Sequence, residues 1–277
     1  MSLLSRDRVV IGLAPESLAL LLLEHGKRSR VSGSRIVCYA PAFGVESWQS
    51  AVEALRGIAA ELEDVRADVT VVLSNHFVRY AMVPPGDGLK EGEEELAYAR
   101  YCFGKIHGAR SKSWEVRMTG GAAGAERLAS AIDGTLLEAV HACFPSGGKP
   151  KLVSVQPYLM SAFNHWRTTV GAESAWFLLV EPQRFCLALL QEGRWAAVRN
   201  NKAEADAPAQ WAELLDREQH LVECAQPPAR AYVHAPHAAD TRGAAPQGWT
   251  LERLTVPSAP GVKPEEAAPL SMALCAI

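Results

Sequence analysis

Two stretches of the sequence decide the fold: VVIGLAPESLALLLLEHG at residues 9–26 and WFLLVEPQRFCLALLQEG at residues 176–193. They align without a gap, residue n of the first with residue n + 167 of the second, so that Pro15 matches Pro182. In each stretch an apolar run meets a turn containing proline, and a second apolar run then ends at glycine. This order is typical of a β-hairpin. One such hairpin near the start of each half of the chain predicts two similar lobes.

The composition excludes several classes of protein. A chain of 277 residues with 48% hydrophobic content is long enough for two modest lobes, and its net charge of -3 predicts no attraction to nucleic acid or to an anionic membrane. The longest strongly apolar run, residues 18–23, is too short for a membrane span, which takes about 20 residues. The six cysteines are scattered without a C-x-x-C pair, which predicts small buried side chains in a reducing compartment. We therefore expect a soluble cytoplasmic protein without direct membrane insertion.

Hydrophobic periodicity predicts an α/β protein with mixed sheets. The first hairpin continues into a third strand at 35–43, a helix within 45–64 and a buried strand at 68–74. The second half repeats this order with a strand at 194–203, a helix at 208–222 and strands at 229–236 and 249–257, before a final helix at 268–277. Residues 76–148 predict a small α+β insert, strand–helix–strand–strand–helix. The predicted lobes are 1–170, which contains the insert, and 171–277.

The order of these segments resembles the duplicated, ribonuclease H-like fold of the actin-like ATPases. The resemblance is most specific to the pilus and secretion branch: PilM, MshI and the cytoplasmic part of GspL. It is carried by RVVIGLAPESLALLLLEHG, VVLSNHFVRYAMVPP, LVSVQPYLMSAFNHW, WFLLVEPQRFCLALLQEGRW and the closing PLSMALCAI. Together these phrases span most of the chain.

The resemblance implies three nucleotide-contacting turns, and this sequence departs from the family pattern in all three. Active members carry an acidic D-x-G turn in each hairpin, whose carboxylate holds Mg²⁺ and whose glycine amides meet phosphate. Here Ala14 stands at the first acid position and Glu181 at the second, each followed by proline, which has no N–H to donate. The Gly-Gly adenosine turn falls near residues 232–236, which contain no glycine. We therefore expect a pseudo-ATPase with no catalytic residue, no metal ligand set and no bound cofactor. Glu181 is the one candidate contact to Mg-ATP.

The resemblance also implies a partner: a single-span, PilN-like membrane protein whose cytoplasmic N-terminal tail lies in a groove formed by the insert and the first lobe. An extended tail can bind by main-chain pairing and apolar anchors. The candidate contacts lie in the strand and helix that begin the insert, and the alternative is that these side chains only pack the insert's own core. They are Phe77, Arg79, Tyr80, Met82, Leu96, Arg100 and Phe103.

Three functions stay open at the level of sequence. The first is a non-catalytic scaffold of a type IV pilus or type II secretion-like inner-membrane platform, peripheral to the membrane through its partner and relaying signals from a motor ATPase. The second is an actin-like ATPase or sugar-kinase-type enzyme that binds Mg-ATP between the lobes, with Glu181 as the metal acid. The third is a free-standing adaptor or cytoskeletal element.

Overall fold

The computed structural model describes most of the chain. The described residues are 6–24, 30–42, 47–86, 92–120, 125–171, 173–202, 208–222, 226–238, 248–257 and 259–277. In chain order their elements are β1 (Asp7–Leu13), β2 (Ser17–Glu24), β3 (Arg30–Cys38), α1 (Gln49–Glu61), β4 (Ala67–Leu73), β5 (Val78–Val83), α2 (Glu93–His107), a 3₁₀ helix (Gly108–Ser113), β6 (Trp114–Met118), β7 (Arg127–Asp133), α3 (Gly134–Ala142), β8 (Lys151–Pro157), α4 (Tyr158–Val170), β9 (Ala175–Glu181), β10 (Arg184–Gln191), β11 (Arg194–Lys202), α5 (Pro208–Leu221), β12 (Arg230–His234), β13 (Thr250–Arg253), a second 3₁₀ helix (Pro264–Glu266) and α6 (Ala267–Leu274).

Two five-stranded sheets have the same strand order. The first runs β3-β2-β1-β4-β8 and the second β11-β10-β9-β12-β13. In the first sheet β1 pairs antiparallel with β2 and parallel with β4, and in the second β9 pairs antiparallel with β10 and parallel with β12. Central strands buried on both faces explain the continuous apolar runs of the sequence. The predicted duplication is therefore present as two sheets of one topology.

The duplication holds in the register of the strands. Ile11 pairs with Leu20 in the first hairpin, and Leu178 pairs with Leu187 in the second, at the offset of the sequence repeat. Both sheets also carry a register shift at corresponding positions, between Leu22 and Leu23 of β2 and between Leu189 and Leu190 of β10. A bulge increases the local twist of a strand. Both copies therefore have the same distortion at one point, where β2 pairs with β3 and where β10 pairs with β11.

The final helix belongs with the first sheet. Residues 270–275 of α6 and its end are all buried, and α6 packs on β1 and β2. Gly12 in β1 faces this helix, and a Cβ there would lie 3.4 Å from the backbone nitrogen of Ala273, at the short end of ordinary van der Waals contact. Gly261, before the helix, has φ +98°, and a Cβ on it would lie 2.2 Å from the carbonyl oxygen of Val31. A side chain at Gly261 therefore has neither an accessible backbone conformation nor space.

The second sheet has its own core beneath α5. Trp176, Phe185, Trp211 and Trp249 are buried in one cluster with the aliphatic residues of β9, β10 and β12. The indole Nε1 of Trp249 donates a hydrogen bond of 2.6 Å to a carboxylate oxygen of Asp216 on α5. A polar indole nitrogen in a core needs such a partner, and this bond fixes the strand after Gly248 against the helix.

The insert forms a three-stranded sheet of order β5-β7-β6 with α2 on one face. Its core lies between the helix and the sheet. Glu93, Glu94 and Glu95 occupy the first turn of α2, where carboxylates interact favourably with the helix dipole. Glu95 also forms an ion pair with Arg127 of β7, which ties the start of the helix to the sheet. The predicted strand–helix–strand–strand–helix order of residues 76–148 is observed.

The chain groups into two compact units whose limits differ from those of the predicted lobes. One unit comprises Met1–Val78, Ile132–His165 and Val256–Ile277, and the other comprises Arg79–Ala131 and Trp166–Thr255. Most of the insert thus groups with the second sheet, and the final helix groups with the first. Among the cysteines of the described residues, Cys186 and Cys275 are buried as predicted, but Cys38 is exposed. The prediction for Cys38 is wrong because it ends an edge strand, and Cys224 lies outside the described residues.

Candidate functional site

The turn between β1 and β2 lies at the carboxyl edge of the first sheet, where ligands of open α/β sheets usually bind. Ala14 donates its N–H to the carbonyl of Ser17 at 2.9 Å, which closes the turn. The hydroxyl of Tyr39 donates to the carbonyl oxygen of Ala14 at 2.7 Å, and burial raises the pKa of this phenol above its ordinary value. The only carboxylate of this turn is Glu16, which is exposed. The turn therefore offers no buried acid for a metal ion.

Polar groups near the carboxyl ends of β4 and β8 form hydrogen bonds within the protein. Ser74 is completely buried and donates its N–H to the carbonyl of Leu13 at 2.9 Å. The side-chain amide of Gln156 donates to the hydroxyl of Ser154 at 3.0 Å and accepts from that of Ser161 at 2.9 Å. These bonds fix the edge of the first sheet.

The turn between β9 and β10 differs in charge. Glu181 and Arg184 form the last register pair of the hairpin, at the positions of Ala14 and Ser17 in the first copy. Both are buried, with 8% and 6% of their surface exposed. Gln183, between them, has φ 57°, so this two-residue turn holds a non-glycine residue in the left-handed region. The candidate Mg-ATP contact Glu181 thus lies directly opposite a buried guanidinium.

Arg184 is held by the neighbouring strand and by charge. Its Nη1 donates to the carbonyl oxygen of Asn200 at 3.3 Å and to its side-chain oxygen at 3.0 Å. Burial has the largest effect on the pKa of Arg184 and lowers it. The guanidinium of Arg79 lowers this pKa further, whereas the carboxylate of Glu181 raises it. Burial also lowers the pKa of Arg79. Arg184 therefore feels the charge of one acid, Glu181, and of one further cation, Arg79.

A carboxylate opposite a buried guanidinium is a poor ligand for a divalent cation, because the guanidinium repels the incoming metal. Within the residues that the structure describes, no group of three or more His, Cys, Asp or Glu side chains could hold a metal ion. Sequence reasoning identified Glu181 but missed Arg184. The available signal was the spacing E-P-Q-R, which places a cation opposite the acid across a two-residue turn.

The segment expected to carry an adenosine-binding turn, near residues 232–236, contains a buried histidine instead. His234, the last residue of β12, is only 2% exposed, and its Nδ1 lies 2.9 Å from the carbonyl oxygen of Leu254. Because a carbonyl only accepts, this nitrogen carries the proton of the bond. The His234 ring lies 4.5 Å from that of Trp166, measured between centroids. This segment is packed with aromatic side chains at a position where a glycine turn would leave space.

The predicted partner contacts do not form one surface. Phe103 is completely buried between α2 and the three-stranded sheet, with Ala81, Val83 and Val116. Its assignment as a contact residue is corrected, because the apolar stripe of α2 is the core of the insert. Leu96 packs against the same core and is only partly buried.

The remaining predicted contacts lie on different faces. Alternation along β5 places Arg79 on the face of Ala81, which α2 covers, and Tyr80 and Met82 on the opposite face. Arg79, Tyr80 and Met82 are half-buried, and Arg100 on α2 is exposed. Phe77, which precedes β5, is buried with 8% exposure. The structure therefore leaves Tyr80 with Met82 as one pair of adjacent candidate contacts and Arg100 as a separate one.

Comparison with known proteins identifies the fold. No protein-family model matches the sequence, and no curated protein sequence matches it. Solved structures do match over nearly the whole chain. A PilM–PilN type IV pilus biogenesis complex matches with TM-score 0.64 and 13% identity, covering 97% of this chain and 96% of that one.

Two further structures support the same assignment. The cytoplasmic domain of EpsL, an inner-membrane component of the type II secretion system of Vibrio cholerae, matches with TM-score 0.56 and 14% identity, covering 90% of both chains. A Bacteroides thetaiotaomicron protein of unknown function with an actin-like ATPase fold matches with TM-score 0.53 and 10% identity, covering 83% of this chain and 81% of that one. No helix among the described residues is long and apolar enough to cross a membrane. The chain therefore has the duplicated actin-like ATPase fold, of the kind seen in PilM and in the cytoplasmic domain of EpsL.

Proposed function

We propose that this protein is a non-catalytic, actin-like scaffold of a type IV pilus or type II secretion-like assembly at the inner membrane. The observation that carries the proposal is the pair of hairpin turns: the first has alanine at the acid position, and the second pairs its acid with Arg184. The fold is similar to that of proteins from both machines. The fold is kept, in this proposal, for the surfaces that it presents.

The chemistry of the turns favours a scaffold over an ATPase. Binding of Mg-ATP in this fold needs carboxylate oxygens for the metal and unobstructed backbone amides for the phosphates. Pro15 and Pro182 each remove one amide from the turns. The first turn has no acid at the family position, and in the second turn Arg184 lies opposite the acid in register. Both differences favour a pseudo-ATPase.

The proposed partner is the cytoplasmic tail of a single-span, PilN-like membrane protein, which would hold this protein at the cytoplasmic side of the membrane. The support is the similarity to the solved PilM–PilN complex. The tail would contact Tyr80 and Met82, which lie on the face of β5 opposite α2. Signals from a motor ATPase would reach the partner through this contact.

Two calorimetric titrations test the proposal. Mg-ATP, at concentrations able to reveal a dissociation constant of about 1 mM, should give no heat with the folded protein. Synthetic tails from single-span proteins encoded beside this one should bind, and Tyr80→Ser/Met82→Ser should weaken that binding. Thermal melting of the variant checks that it is folded, and Val153→Ser, an exposed apolar residue of β8, is the matched control. Magnesium-dependent ATP binding would contradict the pseudo-ATPase.

The alternative is an actin-like ATPase or sugar-kinase-type enzyme, and one observation favours it: Glu181 places a buried carboxylate at the family's acid position. In that case Glu181→Gln should abolish magnesium-dependent binding of ATP. Arg184→Met should strengthen it, because a competing cation is removed. The scaffold proposal expects no binding by any of the three proteins.

A further inference from the structure

The C-terminal half of α2 and the turn after it concentrate positive charge. Residues 98–112, here called the basic segment, contain four cations and no carboxylate, although the whole chain has a net charge of -3. The cations are Arg100, Lys105, Arg110 and Lys112, and all four are exposed. Linear spacing hid this segment from sequence inspection, because no two of the cations are adjacent.

The charge of the basic segment is not compensated. Within the described residues none of its four cations forms an ion pair. At the other end of α2, Glu95 is paired with Arg127 of β7. The acids of α2 all lie in its first turn. One end of the helix is therefore acidic and paired, and the other end presents uncompensated positive charge to water.

Apolar groups are exposed among these cations. Ile106 is 63% exposed and Tyr101 is 57% exposed. Among the large hydrophobic residues that the structure describes, they rank first and third, and Leu221 ranks second. Tyr101 stacks on Tyr98 with ring centroids 6.3 Å apart, and the ammonium of Lys105 lies 5.4 Å from the centre of the Tyr101 ring. The exposed Tyr101 and Ile106 and the neighbouring cations give this half of the helix an amphipathic surface, and Tyr98 beneath Tyr101 is half-buried.

We propose that the basic segment docks on an anionic membrane surface. Each Lys or Arg near such a surface contributes about 1 kcal/mol, and tyrosine favours the level of the lipid headgroups. Lysine and arginine can lay their alkyl stems along the apolar region while the charge stays with the headgroups. Contacts by cations of the basic segment give weak, reversible binding. This binding adds to the attachment that any membrane-anchored partner provides.

The placement of the cations favours a membrane over an acidic protein. Arg100 and Lys105 lie on different sides of the exposed half of α2, since five residues turn the helix by about 140°. A flat membrane reaches one of these sides at a time. Lys105 shares its side with the exposed Tyr101, since its ammonium lies 5.4 Å from the centre of that ring. An acidic protein site would need guanidinium groups held in fixed hydrogen-bonding geometry, and no ion pair within the described residues fixes these four side chains.

Vesicle cosedimentation of the full chain tests the proposal. Vesicles of phosphatidylcholine alone should not bind the protein, and vesicles with added phosphatidylglycerol should bind it, more weakly as salt rises. Arg110→Glu/Lys112→Glu should bind the anionic vesicles at least about 30-fold more weakly, the loss expected for two basic contacts. Lys151→Glu/Arg194→Glu, which reverses two exposed cations elsewhere, should bind as the unaltered protein does.

A second variant separates the apolar contribution. Tyr101→Ser/Ile106→Ser should bind the anionic vesicles less tightly than the unaltered protein, with the same salt dependence. The proposal is overturned if anionic vesicles do not bind at low salt, or if the control variant loses as much affinity as Arg110→Glu/Lys112→Glu. Binding of polyglutamate without binding of vesicles would indicate an acidic protein instead. The calorimetric titration with a partner tail tests the proposed scaffold function, and its result does not depend on vesicle binding. The two proposals can therefore fail separately.

Discussion

Glu181 and Arg184 face each other across the turn between β9 and β10, and both side chains are buried. The corresponding pair of the first hairpin is Ala14 and Ser17, which carry no charge. The two copies of one structural unit therefore differ at the acid position. The first carries alanine there, and the second carries a carboxylate with an arginine opposite it in register.

The charged pair should be energetically coupled. We expect Arg184→Met to lower the free energy of unfolding by about 3 kcal/mol, because it removes charge-assisted hydrogen bonds to Asn200 and a counter-charge from Glu181. The double variant Glu181→Gln/Arg184→Met should cost less than the sum of the single changes. Denaturant unfolding of all four proteins completes the cycle, and strictly additive effects would contradict the coupling.

Gly261 should tolerate no side chain. We expect Gly261→Ala to destabilise the protein by about 3 kcal/mol, because the positive φ is strained for alanine and its Cβ would collide with the Val31 carbonyl. Gly57 is the matched control: it lies in α1, and a Cβ added to it would have no neighbouring atom within 4 Å. Gly57→Ala should stabilise by about 0.5–1 kcal/mol. Thermal melting measures both, and equal effects would refute the explanation.

Phe103 and Tyr101 test the division of α2 into a core side and an exposed side. Phe103→Ala should cost about 3–5 kcal/mol of stability, because the side chain is completely buried. Tyr101→Ala should change stability by no more than about 0.5 kcal/mol, because that side chain is mostly exposed. Urea unfolding distinguishes the two, and a near-neutral Phe103→Ala would show that the insert core is packed differently.

Stability should fall on mild acidification, partly through His107. Burial, and then the charge of Arg79, lower the pKa of His107 in the folded protein. The folded state thus prefers the neutral ring, which packs 4.9 Å from that of Trp114. The contribution is complete above the unfolded pKa of about 6.5 and is lost as the pH falls through it.

The variant His107→Gln isolates this contribution. Its melting temperature should fall less than that of the unaltered protein as the pH is lowered from about 7.5 to about 5. The remaining decrease includes His165, whose pKa burial also lowers. Equal pH dependence of the two proteins would show that His107 titrates alike in the folded and unfolded states.

Much of the fold was predictable because its signals are local. The repeat of Pro15 at Pro182, with apolar runs on both sides, specified two hairpins, and the structure pairs them in the same register. The periodicity within residues 45–64 predicted α1, observed at Gln49–Glu61, and the β-branched run at 68–74 predicted β4, observed at Ala67–Leu73. These features follow from backbone geometry and side-chain alternation over a few residues, which the sequence displays directly.

The candidate sites were only partly predictable, because they depend on which faces meet. The apolar stripe of α2 is visible in the sequence, but the sequence does not reveal whether it covers a partner or its own sheet. The structure assigns Phe103 to the core and leaves Tyr101 exposed. The same limit applies to Arg184, whose burial depends on Asn200 of the next strand.

The sequence by itself determined the duplicated hairpins, the order of strands and helices, and the absence of the first turn's acid, since each is written in residues close together along the chain. Only the tertiary structure decided that Arg79 and Arg184 share one electrostatic environment with Glu181. It also decided that α6 packs on β1 and β2. The physical reason is that charge compensation and burial act through space between segments distant in sequence, and local patterns carry no record of which segments meet.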